Sequence, residues 1–188
     1  MGRWEPDAEG RFRAAAMALF VERGYEQTTV ADIAERAGLT ARTFFRYFAD
    51  KPEVLFNGAP RLQQAMVDAL EKSPEHATAL EAVAASLVAT GEFFGDHREF
   101  ARQRRSVIEA NAELRERELI KFATLSGALA EALRRRGASE PDAQLAAEVG
   151  IALFRVVFER WVGVDETRTF PDLVEDALRQ LTALVVPC

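Results

Sequence analysis

The sequence predicts an all-α protein. Strand signals are nearly absent: there is no Asn-Gly or Asp-Gly hairpin turn and no long alternating run of β-branched residues. Gly, Pro and capping residues instead cut the chain into about nine segments, each with apolar residues three and four apart, and no internal repeat occurs.

The first segment spans about residues 6–23, with Phe12, Ala15, Ala16, Leu19 and Phe20 on one face and Gly24 placed to end it. Gly10 is expected to weaken its first turn by about 1 kcal/mol relative to Ala. Short helices follow over about 30–37 and 41–48, and a fourth opens near Lys51. There Asp50 can accept from the amide of Glu53, while Pro52 sits harmlessly in the first turn. Pro60 is expected to kink or restart that segment. Beyond Pro74 the helices become longer and richer in Ala, Leu, Val and Phe, over about 76–94, 96–109, 112–136, 142–162 and 171–185. The expected division is a helix-turn-helix domain over 1–51 and a helical body over 52–188.

With 188 residues and 48% hydrophobic content the chain can bury a core, which excludes a disordered tail. The formal charge of −6 excludes a polycationic coat, so any DNA binding must be local. Residues 1–51 hold eight basic and eight acidic side chains, so the whole excess of acid falls in the later part. The single cysteine, Cys188, permits no disulfide framework within one chain. No apolar run approaches the roughly 18 residues of a membrane span, and the N-terminus lacks a signal-peptide stretch. A cytoplasmic location is expected, with no membrane partner.

The informative stretch is residues 28–51, TTVADIAERAGLTARTFFRYFADK. Two short helices meet at Gly38, a residue able to take positive φ in a tight turn, and Ala34 is small enough for the helices to cross. Val30, Ile33, Ala37, Leu39, Phe44 and Phe48 supply the facing apolar sides. Thr29 with Asp32 resembles a capping box, and Thr40 can cap the second helix. At about 100° per residue, Arg42 and Arg46 fall roughly opposite Phe44 and Phe48, at the centre of the exposed face. Ala41 and Thr43 present small side chains in the first turn, the geometry of a recognition helix in a major groove. The plainer alternative is a helical hairpin with a solvated arginine face.

These residues resemble the DNA-binding signature of the tetracycline-repressor (TetR) family of bacterial regulators, over roughly residues 10–56. The resemblance implies a cytoplasmic, nucleoid-associated homodimer whose N-terminal domains bind a palindromic operator on double-stranded DNA. It further implies that the C-terminal helices hold the dimer interface and a pocket for a small-molecule effector, with no cofactor. In the family pattern Thr29 and Thr40 contact phosphate, Arg42 and Thr43 lie at base-reading positions, and Tyr47 and Lys51 grip phosphate at the groove edges. Such roles suit the side chains, because a guanidinium can read guanine with two hydrogen bonds while a hydroxyl or ammonium reaches phosphate without sequence preference. Phe45 departs from the tyrosine frequent at its position: lacking the hydroxyl, it either presses on a sugar or thymine methyl or packs inside. Arg3 and Trp4 are candidates for a minor-groove arm.

In the body, Ala146 and Gly150 would let another helix approach closely, and Leu173, Ala177, Leu181 and Leu184 form a stripe. Either these surfaces build a four-helix bundle from two subunits, as the resemblance implies, or they serve the intramolecular core alone. Phe93, Phe94, His97, Phe100, Phe122, Phe154, Phe158 and Trp161 are candidates to line an effector pocket, against the alternative of plain core. Arg102, Arg104 and Arg105 form a basic cluster able to attract an acidic effector or to pair with Glu99 and Glu109. The residues from Asp50 to about Lys72 join reader and body and are expected to act as the lever between them.

Two other functions compete. An all-α enzyme is disfavoured because the only histidines, His76 and His97, have no metal-binding spacing, and no phosphate loop or nucleophile elbow is present. A DNA-binding architectural protein without an effector would lack any ligand response.

Overall fold

The structure is a computed structural model that describes residues 7–95 and 97–185. Among these residues ten helices occur, and they group into two compact units. One unit holds the described residues through Gly58 together with Gln103–Glu118; the other holds Ala59–Arg102 and the described residues from Leu119 onward. The first unit therefore does not end at residue 51: it takes in the next seven residues and a segment from far along the chain.

In the first unit, α1 (Ala8–Arg23), α2 (Val30–Arg36), α3 (Ala41–Tyr47) and the single-turn α4 (Glu53–Phe56) surround a phenylalanine core. Phe12, Phe44 and Phe48 are fully buried, and the Phe12 ring meets Phe44 edge-on at 5.3 Å and Phe48 at 6.1 Å. Edge-to-face rings of this kind fix orientation as well as burying area. The expected weakness at Gly10 is offset by a cap, since its amide donates to Asp7 Oδ1 at 3.0 Å. A side chain at Gly10 would collide with that carboxylate. Asp50 accepts from the Glu53 amide at 2.9 Å as expected, and Pro60 restarts the chain as α5 (Ala59–Glu71).

The second unit contains α5, α6 (Ala79–Phe94), the first turn of α7 (Arg98–Glu109), α8 (Ala112–Arg135) from Leu119, α9 (Glu140–Trp161) and α10 (Phe170–Val185). Its core gathers Met66, Leu70, Val83, Leu87, Leu129, Leu133, Ile151, Val157 and Leu173. The helix α8 begins at the expected residue, and α6, α7, α9 and α10 begin one to three residues away from theirs. Thr78 and Glu81 form a capping box for α6, and Ser139 accepts from the Asp142 amide to open α9.

The close-approach site on α9 is used within the chain. A Cβ on Gly150 would fall 2.3 Å from Val83 Cγ1, so α6 is the helix that the glycine admits. The stripe on α10 is likewise divided: Leu173 and Ala177 are buried in the core, while Leu184 is exposed. Leu145 and Val156 on α9 and Val185 on α10 also remain exposed. Among the described residues no helix is long and apolar enough to cross a membrane, and no group of His, Cys, Asp and Glu is arranged to hold a metal.

Gly150→Ala should overpack the α6–α9 crossing and cost about 1–3 kcal/mol, lowering the melting temperature by about 2–4 °C per kcal/mol. Val83→Ala in the same chain should relieve part of that loss. Thermal unfolding of the single and double variants at one protein concentration tests it, and additive losses would mean that the two side chains do not meet.

Candidate nucleic-acid interface and aromatic cleft

The two helices of the reader are set by their ends. Thr29 Oγ1 accepts from the Asp32 amide at 3.1 Å and Asp32 returns the contact by accepting from the Thr29 amide at 2.8 Å. The Thr29 hydroxyl, donating to Asp32 Oδ2, and then the Thr29 amide hold the Asp32 carboxyl below its ordinary range. Between the helices Gly38 takes φ 65°, where a side chain is strained, and the Leu39 amide donates back to Ala34 O at 2.9 Å. Thr40 then opens α3 by accepting from the Thr43 amide at 3.2 Å. Arg11 completes the turn from α1, its Nη2 donating to the carbonyls of Ala37 and Gly38. This clamp is absent from the sequence reading because it joins residues 26 and 27 positions apart.

With Phe44 and Phe48 buried, α3 turns Arg42 and Arg46 outward, both exposed. Phe45 is 58% exposed, which removes the packed-inside alternative. Tyr47 is exposed at its edge but touches Phe12 with ring centroids 6.3 Å apart; Ala41 and Thr43 are half-buried. Thr29 and Thr40 are exposed with their hydroxyls engaged in the caps.

Lys51 is tied into the protein. Its Nζ donates to Tyr25 O at 2.9 Å and Thr28 O at 3.0 Å and lies 3.9 Å from the Tyr25 ring centroid. An ammonium has three donors, so one remains for a phosphate after these two bonds. The expected minor-groove arm, Arg3 and Trp4, lies outside the described residues, as does Cys188.

In the second unit the aromatic side chains gather around Phe94. Its ring lies 5.0 Å from Phe170, 5.2 Å from Trp161, 5.6 Å from Phe158 and 6.1 Å from Phe154. Phe122 joins through Phe154 at 6.0 Å, whereas Phe93 touches the cluster only at Phe94, at 5.6 Å. A cleft of about 590 Å³ opens beside this cluster, lined by Gly91, Glu92, Arg98, Trp161, Thr169 and Phe170 among others. Of the expected pocket residues Trp161 borders it; Phe154 is buried, Phe100 half-buried, and His97 exposed but not part of its lining. Phe170 and Arg98 were not anticipated. Arg98 sits 5.3 Å from the Trp161 ring and donates to the carbonyls of Glu166 and Arg168.

The arginines of α7 do not form a free basic cluster. Arg102 pairs with Glu99 at 2.6 Å and donates to Val162 O at 2.7 Å, closing the C-terminal end of α9. Arg105 pairs with Glu109, and Arg104 with Glu118 at 3.2 Å.

Residues 12–57 match the family of bacterial regulatory proteins called tetR, and residues 77–185 match the MftR C-terminal domain, which alone spans more than half of the chain. The HTH-type transcriptional regulator TcmR of Streptomyces glaucescens is 30% identical over 156 residues, covering 78% of this chain and 69% of its own. The chain belongs to the TetR family. It is a DNA-binding transcriptional regulator. The fatty acid metabolism regulator protein of Bacillus subtilis (strain 168) is 28% identical over 178 residues, covering 90% of this chain and 91% of its own. Among solved structures, the regulator FadR from Bacillus subtilis in complex with stearoyl-CoA superposes with a TM-score of 0.63 at 23% identity, covering 94% of this chain and 99% of its own.

Within this TetR-family reader Lys51 is a brace for the turn after α1. Lys51→Met, which keeps the stem and removes the donors, should cost about 1.5–3 kcal/mol of stability through the lost charge-assisted bonds. Thermal unfolding checks it: a melting temperature equal to wild type would show that the two carbonyls do not need the ammonium.

Proposed function

We propose that this regulator is a homodimeric repressor that occupies a palindromic operator and is released when an acyl-thioester effector enters the aromatic cleft. The observation that carries the DNA half is the register of α3, whose Arg42, Phe45 and Arg46 face outward because Phe44 and Phe48 are locked beneath them. In this reading Arg42 and Thr43 contact base edges, with Ala41 leaving room for close approach. Arg46 and Phe45 extend the contact, Phe45 against a sugar or thymine methyl. Thr29, Thr40, Tyr47 and the remaining donor of Lys51 meet phosphate. The functional division follows the two compact units, a reader of the residues through 58 with 103–118 and a body of the rest, at work in the cytoplasm on the nucleoid, without catalytic activity.

Support for the effector class comes from the relatives, one named for fatty acid metabolism and one solved with stearoyl-CoA, and from the cleft's own chemistry. Trp161 and Phe170 offer an apolar floor, while the Arg98 guanidinium supplies a fixed positive charge at the rim. The exposed Leu145, Val156, Leu184 and Val185 support pairing of two subunits through α9 and α10.

Arg42→Ala should weaken binding to the cognate operator by about 1–3 kcal/mol and relax choice at one base pair per half-site. Equal loss on random duplex would assign the arginine to phosphate instead.

Effector and operator must oppose each other. Linkage requires that saturating operator weaken stearoyl-CoA binding by the factor by which stearoyl-CoA weakens operator binding, roughly 5- to 150-fold for a coupling of about 1–3 kcal/mol. Titration of stearoyl-CoA with and without operator measures this. Phe158→Ala, at a half-buried ring stacked on Phe154, should blunt the ligand affinity and spare DNA. Equal stearoyl-CoA affinity in both states would refute release by this effector class.

A further inference from the structure

Helices α7 and α8 each belong to both compact units: α7 enters the first at Gln103 and α8 leaves it after Glu118. The corner between them is therefore part of the reader, with Ile108 and Leu114 buried in it. Three polar ties fasten it. Asn111 Nδ2 donates to Glu26 Oε1. Arg104 Nε donates to Leu55 O at 2.7 Å, its guanidinium 5.0 Å from the Phe56 ring and paired with Glu118. Arg117 donates to both oxygens of Asp50, at 2.9 and 2.7 Å, and to Glu53 Oε2 at 3.2 Å.

The third tie lands at a decisive place. The Asp50 carboxylate that takes the Arg117 fork also accepts the Glu53 amide and so starts α4. The next residue, Lys51, holds the carbonyls of Tyr25 and Thr28 just before α2. Two neighbouring residues are thus tied to different segments, Lys51 to the turn that leads into α2 and Asp50 to the corner. A two-pronged guanidinium–carboxylate contact fixes distance and plane together, which a lysine cannot do. The pair is also partly exposed, at 30% for Arg117 and 42% for Asp50, so its contribution to global stability is small. Its consequence is geometric.

We infer that Arg117 is a positioning residue for DNA binding: by holding Asp50 and the first turn of α4, it fixes how the corner of α7 and α8 presents the helix-turn-helix to an operator. The inference rests on the reading of the first unit as the operator reader. Arg104 reinforces it from the far end of α4, where burial pushes its guanidinium pKa down and Glu118 offsets that effect. Because α7 and α8 continue as single helices into the second unit, the corner is a covalent route by which events there reach Asp50.

The test uses the full chain carrying Arg117→Gln, Arg117→Lys or, as a control on the same helix, Arg115→Gln. A duplex selected by the wild-type protein from a random pool serves as operator. Arg117→Gln should keep the wild-type melting temperature within a few degrees and random-duplex affinity within about twofold. Its operator affinity should fall at least about tenfold, and hydrogen exchange at the amides of residues 54–57 should quicken. Arg117→Lys should lie between wild type and Arg117→Gln in operator affinity, and Arg115→Gln should match wild type. Unchanged operator affinity and exchange in Arg117→Gln would overturn the inference. So would parallel loss of operator affinity, random-duplex affinity and melting temperature, the mark of a structural brace alone. If the wild type selects no duplex, the operator reading fails, while exchange at residues 54–57 still decides whether Arg117 holds α4.

Discussion

What α3 can offer to DNA depends on where Phe12 holds Phe44 and Phe48. Phe12 packs edge-on against both Phe44 and Phe48, which are themselves tilted together at 5.0 Å, and this fixes the rotation of the short helix about its axis, since a shift of one residue would bury Phe45 or the hydroxyl-bearing Tyr47 in their place. A seven-residue helix has little stability of its own, so this packing, with the Thr40 cap and the Arg11 clamp on the preceding turn, is what makes it a helix at all. Orientation of the arginines is a by-product of core formation.

Local features were legible in the sequence. Both capping residues of the reader, the positive φ of Gly38 and the inward face of α3 follow from chemistry within a few positions, and they stand where the sequence places them. Features that depend on distant partners were not. Gly150 signalled a close approach, but nothing in a sequence says whether the approaching helix is α6 of the same chain or one from another subunit. Phe170 lies far along the chain from the aromatic run around Phe93 and Phe94, and only the fold packs it against Phe94 at the centre of the cluster. Lys51 fits the phosphate-gripping pattern of its family position, while its bonds to two carbonyls become visible only once the turn after α1 is folded beside it.

The basic residues follow a common pattern. Of the 24, 21 are arginine, and many are spent on backbone carbonyls at helix ends. Arg136 donates to the carbonyls of Glu71, Ser73 and Pro74 after α5, and Arg102 to those of Val162 and Gly163 after α9. A planar fork with five donors can satisfy several orphaned carbonyls at once and adds a charge that suits the negative end of a helix. This explains why an acidic body can be arginine-rich without presenting a basic surface.

The late arrival of the α7–α8 corner bears on how the molecule is made. A nascent chain that has emerged only as far as Gly58 has α1 to α4 of the reader but lacks the guanidiniums for Leu55 O and Asp50, which reside some fifty to seventy positions downstream. Domains generally mature as units during synthesis, in order of emergence. Here the N-terminal unit is finished late: its last pieces leave the ribosome after α5 and α6 of the other unit, though before α9 and α10. Swapping reader segments between relatives at residue 58 would separate each reader from the corner that completes it.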